Sequence, residues 1–327
     1  MNPLTLELPK ALLHLAGKTL LEWSIERLHL AGCTDVVIAT GWKRDLVEKV
    51  LTGLDSPPTL HTVYVQHYER GPLQTFVEAV QLIHGTINIL NPVDLIISSR
   101  AVCSLVAAFP QDNPFALNLA IDYSATDGSN VEIGADGRVI TIGKESPETG
   151  RNAKSAMLLA FSTGFPVYCA EALDRGDTTV LSVLNSLIAH QNSVFACPIS
   201  EKWYDIDSIG TALQANRYLL DSSIDKSPKS IYVPSNDLME VGDTVSLASG
   251  ITLGKGTHLK GPCLIQKNCD IQEGCTIGPY VSIAESTILG ARSNVHDAVI
   301  FGGSEIPPHS TIKKAFVYQS KIYSEEA

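Results

Sequence analysis

Every sixth residue from Val241 is apolar: Val241, Leu247, Leu253, Leu259, Ile265, Ile271, Ile277, Ile283, Leu289 and Val295. After a slip of one residue the series resumes at Ile300, Ile306 and Ile312. Glycine and small polar residues crowd the positions between, as in "GKGTHL", "QEGCTI" and "GPYVSI". A repeat this short, with one apolar side chain turned inward each time, is the signature of a parallel β-helix, whose coils bury a common core by stacking. The spacing predicts such a domain over residues 238–327. Pro228 and Pro234, in "DKSPKSIYVPSND", mark a linker over 223–237.

The residues before the linker follow another rhythm. Leu20, Leu21, Ile25 and Leu28 fall at helical spacing, and Gly32 closes the run as a C-terminal cap. "VVIAT" after Asp35 is a continuous run of the kind found in strands buried on both faces, and "RDLVEKVL" returns to helical spacing. Strand "TVYVQ", helix "LQTFVEAVQLI" and strand "TINIL" continue the alternation. Such alternation predicts an α/β domain over residues 1–222 with a mostly parallel sheet, its ligands beyond the carboxyl ends of the strands. Asp136-Gly137, between two alternating runs, predicts a tight hairpin, and helices are expected around 168–174 and 180–189.

Composition narrows the function classes. A chain of 327 residues, 44% hydrophobic and 18% charged, buries a sizeable core, and a formal charge of −11 argues against a nucleic-acid partner. An anionic ligand must therefore meet local lysines. The seven cysteines contain no Cys-x-x-Cys pair, so neither a disulfide framework nor a zinc site is indicated, and reduced thiols in a cytoplasmic protein are expected. No apolar run reaches membrane-spanning length.

Asp205 and Asp207 stand two apart in "WYDIDS", a spacing that puts both carboxylates on one side of an extended segment and invites a cation. A solvated turn that caps the next helix is the alternative. Asp94 follows strand "TINIL" after a short turn, where a ligand residue of an open α/β sheet belongs. Lys144 closes "RVITIGK", either as a solvated strand end or as a ligand, and Lys10 lies in a loop after Pro9.

"PLTLELPKALLHLAGKTLLEW" resembles the signature of the sugar-phosphate nucleotidyltransferases: Pro-Leu-Thr, then Pro-Lys, then Gly-Lys-Pro-Leu-Leu. Pro3, Leu4, Thr5, Pro9, Lys10, Gly17, Lys18, Leu20 and Leu21 match it. "WYDIDSIGTALQANRYLL" resembles the end of that family's Rossmann-like domain, and the C-terminal repeat resembles a left-handed hexapeptide helix with three hexads per coil. The order of hairpin, Gly-Arg-Val and Ile-Gly-Lys looks especially like cytidylyltransferases acting on inositol or choline phosphates. The resemblance implies transfer of a nucleotidyl group from a nucleoside triphosphate to a sugar or polyol phosphate, with loss of pyrophosphate. It implies Lys10 on the nucleotide phosphates, Lys144 on the sugar-side phosphate, and Leu73, Gln74 and Thr75 at the nucleotide. Asp94, Asp205 and Asp207 are implied as ligands of Mg²⁺, and a homo-oligomer formed through the β-helix is the implied assembly.

The sequence departs from the family pattern at several points. The family's first strand and Gly-x-Gly-x-Arg loop do not precede Met1, and the expectation is that the natural protein begins upstream with both. Asn91-Pro92-Val93-Asp94 is one residue longer than the family's Asn-Gly-Asp turn. Gln74 and Phe76 replace Gly and Ala, where larger side chains would crowd the base, and "KSAMLL" replaces the usual Asn-x-Gly. Two rival readings follow: a catalytically silent regulatory or assembly subunit with the same fold, and an acyltransferase using His258, His296 or His309.

Overall fold

The computed structural model describes residues 1–54, 58–110, 116–143, 151–190, 194–223, 230–232, 238–240 and 244–325. Packing divides the chain into two units, Glu22–Asp205 and Met1–Leu21 together with Ile206–Ala327. This division differs from a boundary at the 223–237 linker, because the opening segment and the helix Ile209–Ser223 pack with the coils. Of the linker and its flank, Ser230–Tyr232 pairs antiparallel with Leu238–Glu240. Pro228, Pro234 and Val241 lie outside the described residues.

The unit Glu22–Asp205 is built on a mixed sheet. Helix α1 (Leu20–Leu30) leads into β1 (Asp35–Thr40), α2 (Arg44–Leu51) and β2 (Thr59–Tyr64), with β1 and β2 parallel. Helix α3 (Pro72–Ala79) precedes β3 (Asn88–Leu90), β4 (Leu95–Ile96), α4 (Ser99–Ala107) and β5 (Leu117–Asp122). The hairpin β6 (Ser129–Ile133) and β7 (Val139–Ile142) turns at Asp136-Gly137 as expected. Next come β8 (Arg151–Phe161), α5 (Phe165–Asp174), α6 (Val180–Ala189), β9 (Val194–Pro198) and β10 (Tyr204–Asp205). The long β8 runs antiparallel to β3, β5 and β6, while β9 and β5 are parallel.

Both faces of this sheet are covered, as the continuous apolar strands require. In β5, Leu117, Leu119 and Ile121 join a core with α3, α5 and α6, while Ala120 faces a second core with Leu28 of α1 and Ala101, Val102 and Leu105 of α4. Among the described residues β1 pairs with β2 alone and β3 with β8 alone, so the sheet is divided between β1 and β3.

In the other unit the sixfold period becomes three stacks of short parallel strands. Cys263 lies opposite Val281, Asp270 opposite Ile288 and Thr276 opposite Asn294, an offset of eighteen residues or three hexads. The inward residues Leu253 through Ile312 form one buried core. The slip has a visible cause. Between Val281/Ala298 and Asn294/Thr311 the offset is seventeen, because the corner His296-Asp297 has two residues where Gly278-Pro279-Tyr280 has three. Asp297 turns this corner with φ of 51°. Parallel pairing predominates in the chain through these stacks.

The opening segment is fastened to the coils by polar and apolar contacts. Glu7 accepts from Lys321 Nζ at 2.9 Å, Gln266 Nε2 donates to Gly17 O at 2.9 Å, and the His14 ring meets Phe301 edge-on at 5.4 Å. Asn216 Oδ1 accepts from both Ala16 N–H and Ser282 Oγ–H at 2.8 Å. Gly17 is required here: its φ is 87°, and a Cβ would stand 2.6 Å from Leu264 Cδ2.

Candidate active site

The turn after β3 carries Asp94 beyond the carboxyl end of a strand, as the sheet rule anticipates. Strand β4, immediately after it, pairs antiparallel with β10, with Leu95 opposite Asp205 and Ile96 opposite Tyr204. This pairing brings carboxylate oxygens of Asp94 and Asp205 within 4.8 Å of each other. Two oxygen donors of this kind suit a hard divalent cation. Asp207 stands two residues after Asp205. It belongs to the unit of the opening segment, where its Oδ1 accepts from Lys10 Nζ at 2.8 Å. Lys10 is the first residue of a short turn of helix after Pro9, which fixes its backbone.

The segment before α3 is held by Gly71 and Thr178, with Leu73 N–H donating to Thr178 O at 3.0 Å. Leu73 is fully buried in the sheet core, so its side chain is a packing element. Gln74 is half-buried and donates to Glu78 Oε1 at 2.7 Å, and Thr75 is half-buried beside it. Phe76, which replaces the family's Ala, is buried. It is turned into the core, where its ring packs at 5.5 Å from Phe161 and 5.6 Å from Phe165. Met157 in "KSAMLL" has φ of 54° at an irregularity in β8, and its N–H donates to Ser155 Oγ. Lys144 lies outside the described residues. On the coils, His258 and His309 are exposed and His296 sits at the shortened corner.

Two buried charged residues of the unit Glu22–Asp205 were not among those singled out from sequence. Arg27 of α1 is 4% exposed, and its Nη1 donates to Leu95 O at 2.6 Å and Ile97 O at 3.3 Å. Burial lowers its guanidinium to about 10, so it stays charged at neutral pH. Arg27 stands seven residues after Leu20, two helical turns, and that spacing on the apolar face was the available signal. The other is Asp122 at the end of β5, which accepts from Trp203 Nε1 at 3.1 Å and from Ser124 N–H and Oγ–H at 2.7 Å. Burial raises its carboxyl, but the hydrogen bonds from Ser124, Trp203 and Ala125 outweigh this and hold it below the ordinary value.

A sheet clad on both faces, an acidic pair beyond its carboxyl edge and a C-terminal stack of parallel coils together describe a nucleotidyltransferase architecture. Residues 5–125 match the MobA-like NTP transferase domain, and residues 259–324 match the GMPPB C-terminal domain. Over 360 residues the chain is 21% identical to a mannose-1-phosphate guanyltransferase of Gibberella zeae, covering 96% of this chain and 94% of that protein. Over 350 residues it is 22% identical to mannose-1-phosphate guanyltransferase beta-B of Xenopus laevis, with the same coverage. The inositol-1-phosphate CTP transferase of T. maritima superposes with a TM-score of 0.53 at 19% identity, covering 62% of this chain and 82% of that one. Both matched domains and these relatives support a sugar-phosphate nucleotidyltransferase family for the chain. No helix among the described residues is long and apolar enough to cross a membrane.

Proposed function

We propose that the chain transfers a nucleotidyl group from a nucleoside triphosphate to a sugar or polyol phosphate, releasing pyrophosphate and leaving an activated nucleotide-sugar type product. The observation that carries this reading is the pairing of β4 with β10, which holds Asp94 and Asp205 together beyond the carboxyl edge of the sheet. The all-oxygen donor set fits Mg²⁺, which Asp94 and Asp205 would hold, with Asp207 the next carboxylate along the same segment. When bound, the ion neutralises phosphate charge as acceptor and triphosphate approach.

The chain's own residues do the rest. Lys10 presents an ammonium group held in place by Asp207, and a phosphate oxygen takes over part of that ion pair as the nucleotide binds. Its charge steadies the α-phosphate region as negative charge builds on the leaving pyrophosphate. Gln74 and Thr75 border the nucleotide, Leu73 supports them from the core, and Lys144 is the ligand for the acceptor's phosphate. Side-by-side association of the coils gives a homo-oligomer, and a monomer in light scattering at micromolar concentration would remove that part of the reading.

The deciding experiment is pyrophosphate release with the four nucleoside triphosphates against sugar and polyol phosphates. GTP with mannose 1-phosphate and CTP with inositol phosphate come first, given what the similar proteins are named for. Turnover with one pair, abolished by D94N or D205N, is expected. No release from any pair would leave the silent-subunit reading in its place.

A further inference from the structure

The segment Asn91–Ile97 carries Asp94 at its middle, and both of its ends are held by one face of α1. Ser24 and Arg27 are three residues apart on that helix and both are buried. At one end Asn91 Nδ2 donates to Ser24 Oγ and, more weakly, to Pro92 O. At the other, Arg27 Nη1 bridges the carbonyls of Leu95 and Ile97. Leu95 is the residue opposite Asp205, so the arginine grips the strand that sets one carboxylate against the other.

Stability alone does not account for this arginine. Its carbonyl partners Leu95 and Ile97 belong to an apolar core, yet its Nε and Nη2 are buried with no hydrogen-bond partner among the described residues. A buried charge with unmet donors is a net expense to the fold, and replacing such groups by apolar residues is often neutral or favourable. Its use must lie in what it fixes. We propose that Ser24 and Arg27 are positioning residues that hold the Asp94 turn in register with Asp205 and thereby set the affinity of the acidic pair for its divalent cation. The inference rests on the reading that Asp94 and Asp205 bind a divalent ion.

The test is Mn²⁺ binding to the full chain, followed by the EPR signal of free Mn²⁺ with no nucleotide present, so that turnover plays no part. Wild type binds and D94N does not. R27Q weakens Mn²⁺ binding by about 10–100-fold, the range for residues that orient metal ligands. R27K stays close to wild type, because one ammonium group can donate to both carbonyls as Nη1 does. S24A weakens binding by less than R27Q and, as a small change within a helix, carries the test should R27Q fail to fold. Near-UV circular dichroism confirms that each variant keeps its packing. If D94N abolishes binding while R27Q and S24A bind as wild type does, the positioning role is wrong and the metal reading stands. If D94N binds Mn²⁺ like wild type, the metal reading itself falls and takes the positioning role with it.

Discussion

The ion pair at the shortened coil corner gives a prediction whose size follows from burial. Arg217, on the helix Ile209–Ser223, donates from Nε to Asp297 Oδ1 at 2.8 Å and from Nη2 to Oδ2. The Asp297 side chain is 1% exposed and that of Arg217 is 40% exposed. The two halves are therefore unequal. R217M strands a buried carboxylate and should cost about 3–5 kcal/mol. D297N leaves a guanidinium that already reaches water and keeps a residue type tolerant of positive φ, so about 1–3 kcal/mol is expected. The double variant should cost less than the sum by about 0.5–3 kcal/mol. The assay is urea unfolding with two probes. All three tryptophans, Trp23, Trp42 and Trp203, lie in the unit Glu22–Asp205, so fluorescence follows that unit and far-UV circular dichroism also follows the coils. The shift should appear in the dichroism and be small in the fluorescence. Equal costs for the two single variants, or strict additivity in the double, would refute the reasoning.

Other expectations are direct. K10M should lower pyrophosphate release by about 10²–10³-fold, the loss typical of one group that stabilises developing charge, with little change in unfolding midpoint. Asp122 has a folded value below its unfolded one, so its stabilisation is complete above the ordinary aspartate value of about 3.9 and is lost as pH falls through the folded value. The urea midpoint by tryptophan fluorescence should thus fall steeply below that pH in wild type and less so in D122N. G17A combines a positive φ with a crowded Leu264 and should destabilise the coil unit by about 1–3 kcal/mol, read by dichroism.

The parts legible in the sequence were those where one local rule decided the outcome. Each hexad carries its own inward residue, so the coil stack could be read from Leu247 to Ile312 and even the slip at Ile300 marked a real corner. Asp136-Gly137 specified its hairpin for the same reason. Strand order was harder: alternation of strands and helices says nothing of β8, which enters antiparallel between β3 and β5. Periodicity also did not tell that Phe76 packs against Phe161 and Phe165. Spacing put Asp205 and Asp207 on one side of their segment but could not name their partners: Asp205 lies opposite Leu95, and Asp207 accepts from Lys10.

The fastening of the opening segment to the coils also governs the order in which the protein can be made. Gly17 must wait for Gln266, 249 residues later, and Glu7 for Lys321, 314 residues later. At synthesis rates of about 5–20 residues per second, 249 residues take roughly 12–50 s. During that interval the lysine-bearing segment carries apolar residues, Leu4, Leu8, Leu12 and Leu13, that are buried in the finished protein, without its polar partners Gln266 and Lys321. The Glu22–Asp205 unit can fold as it emerges, whereas the segment before it folds last. A chaperone that engages short apolar stretches would find a binding site in that segment, and arrest of translation before residue 266 would leave the segment without its partners on the coils.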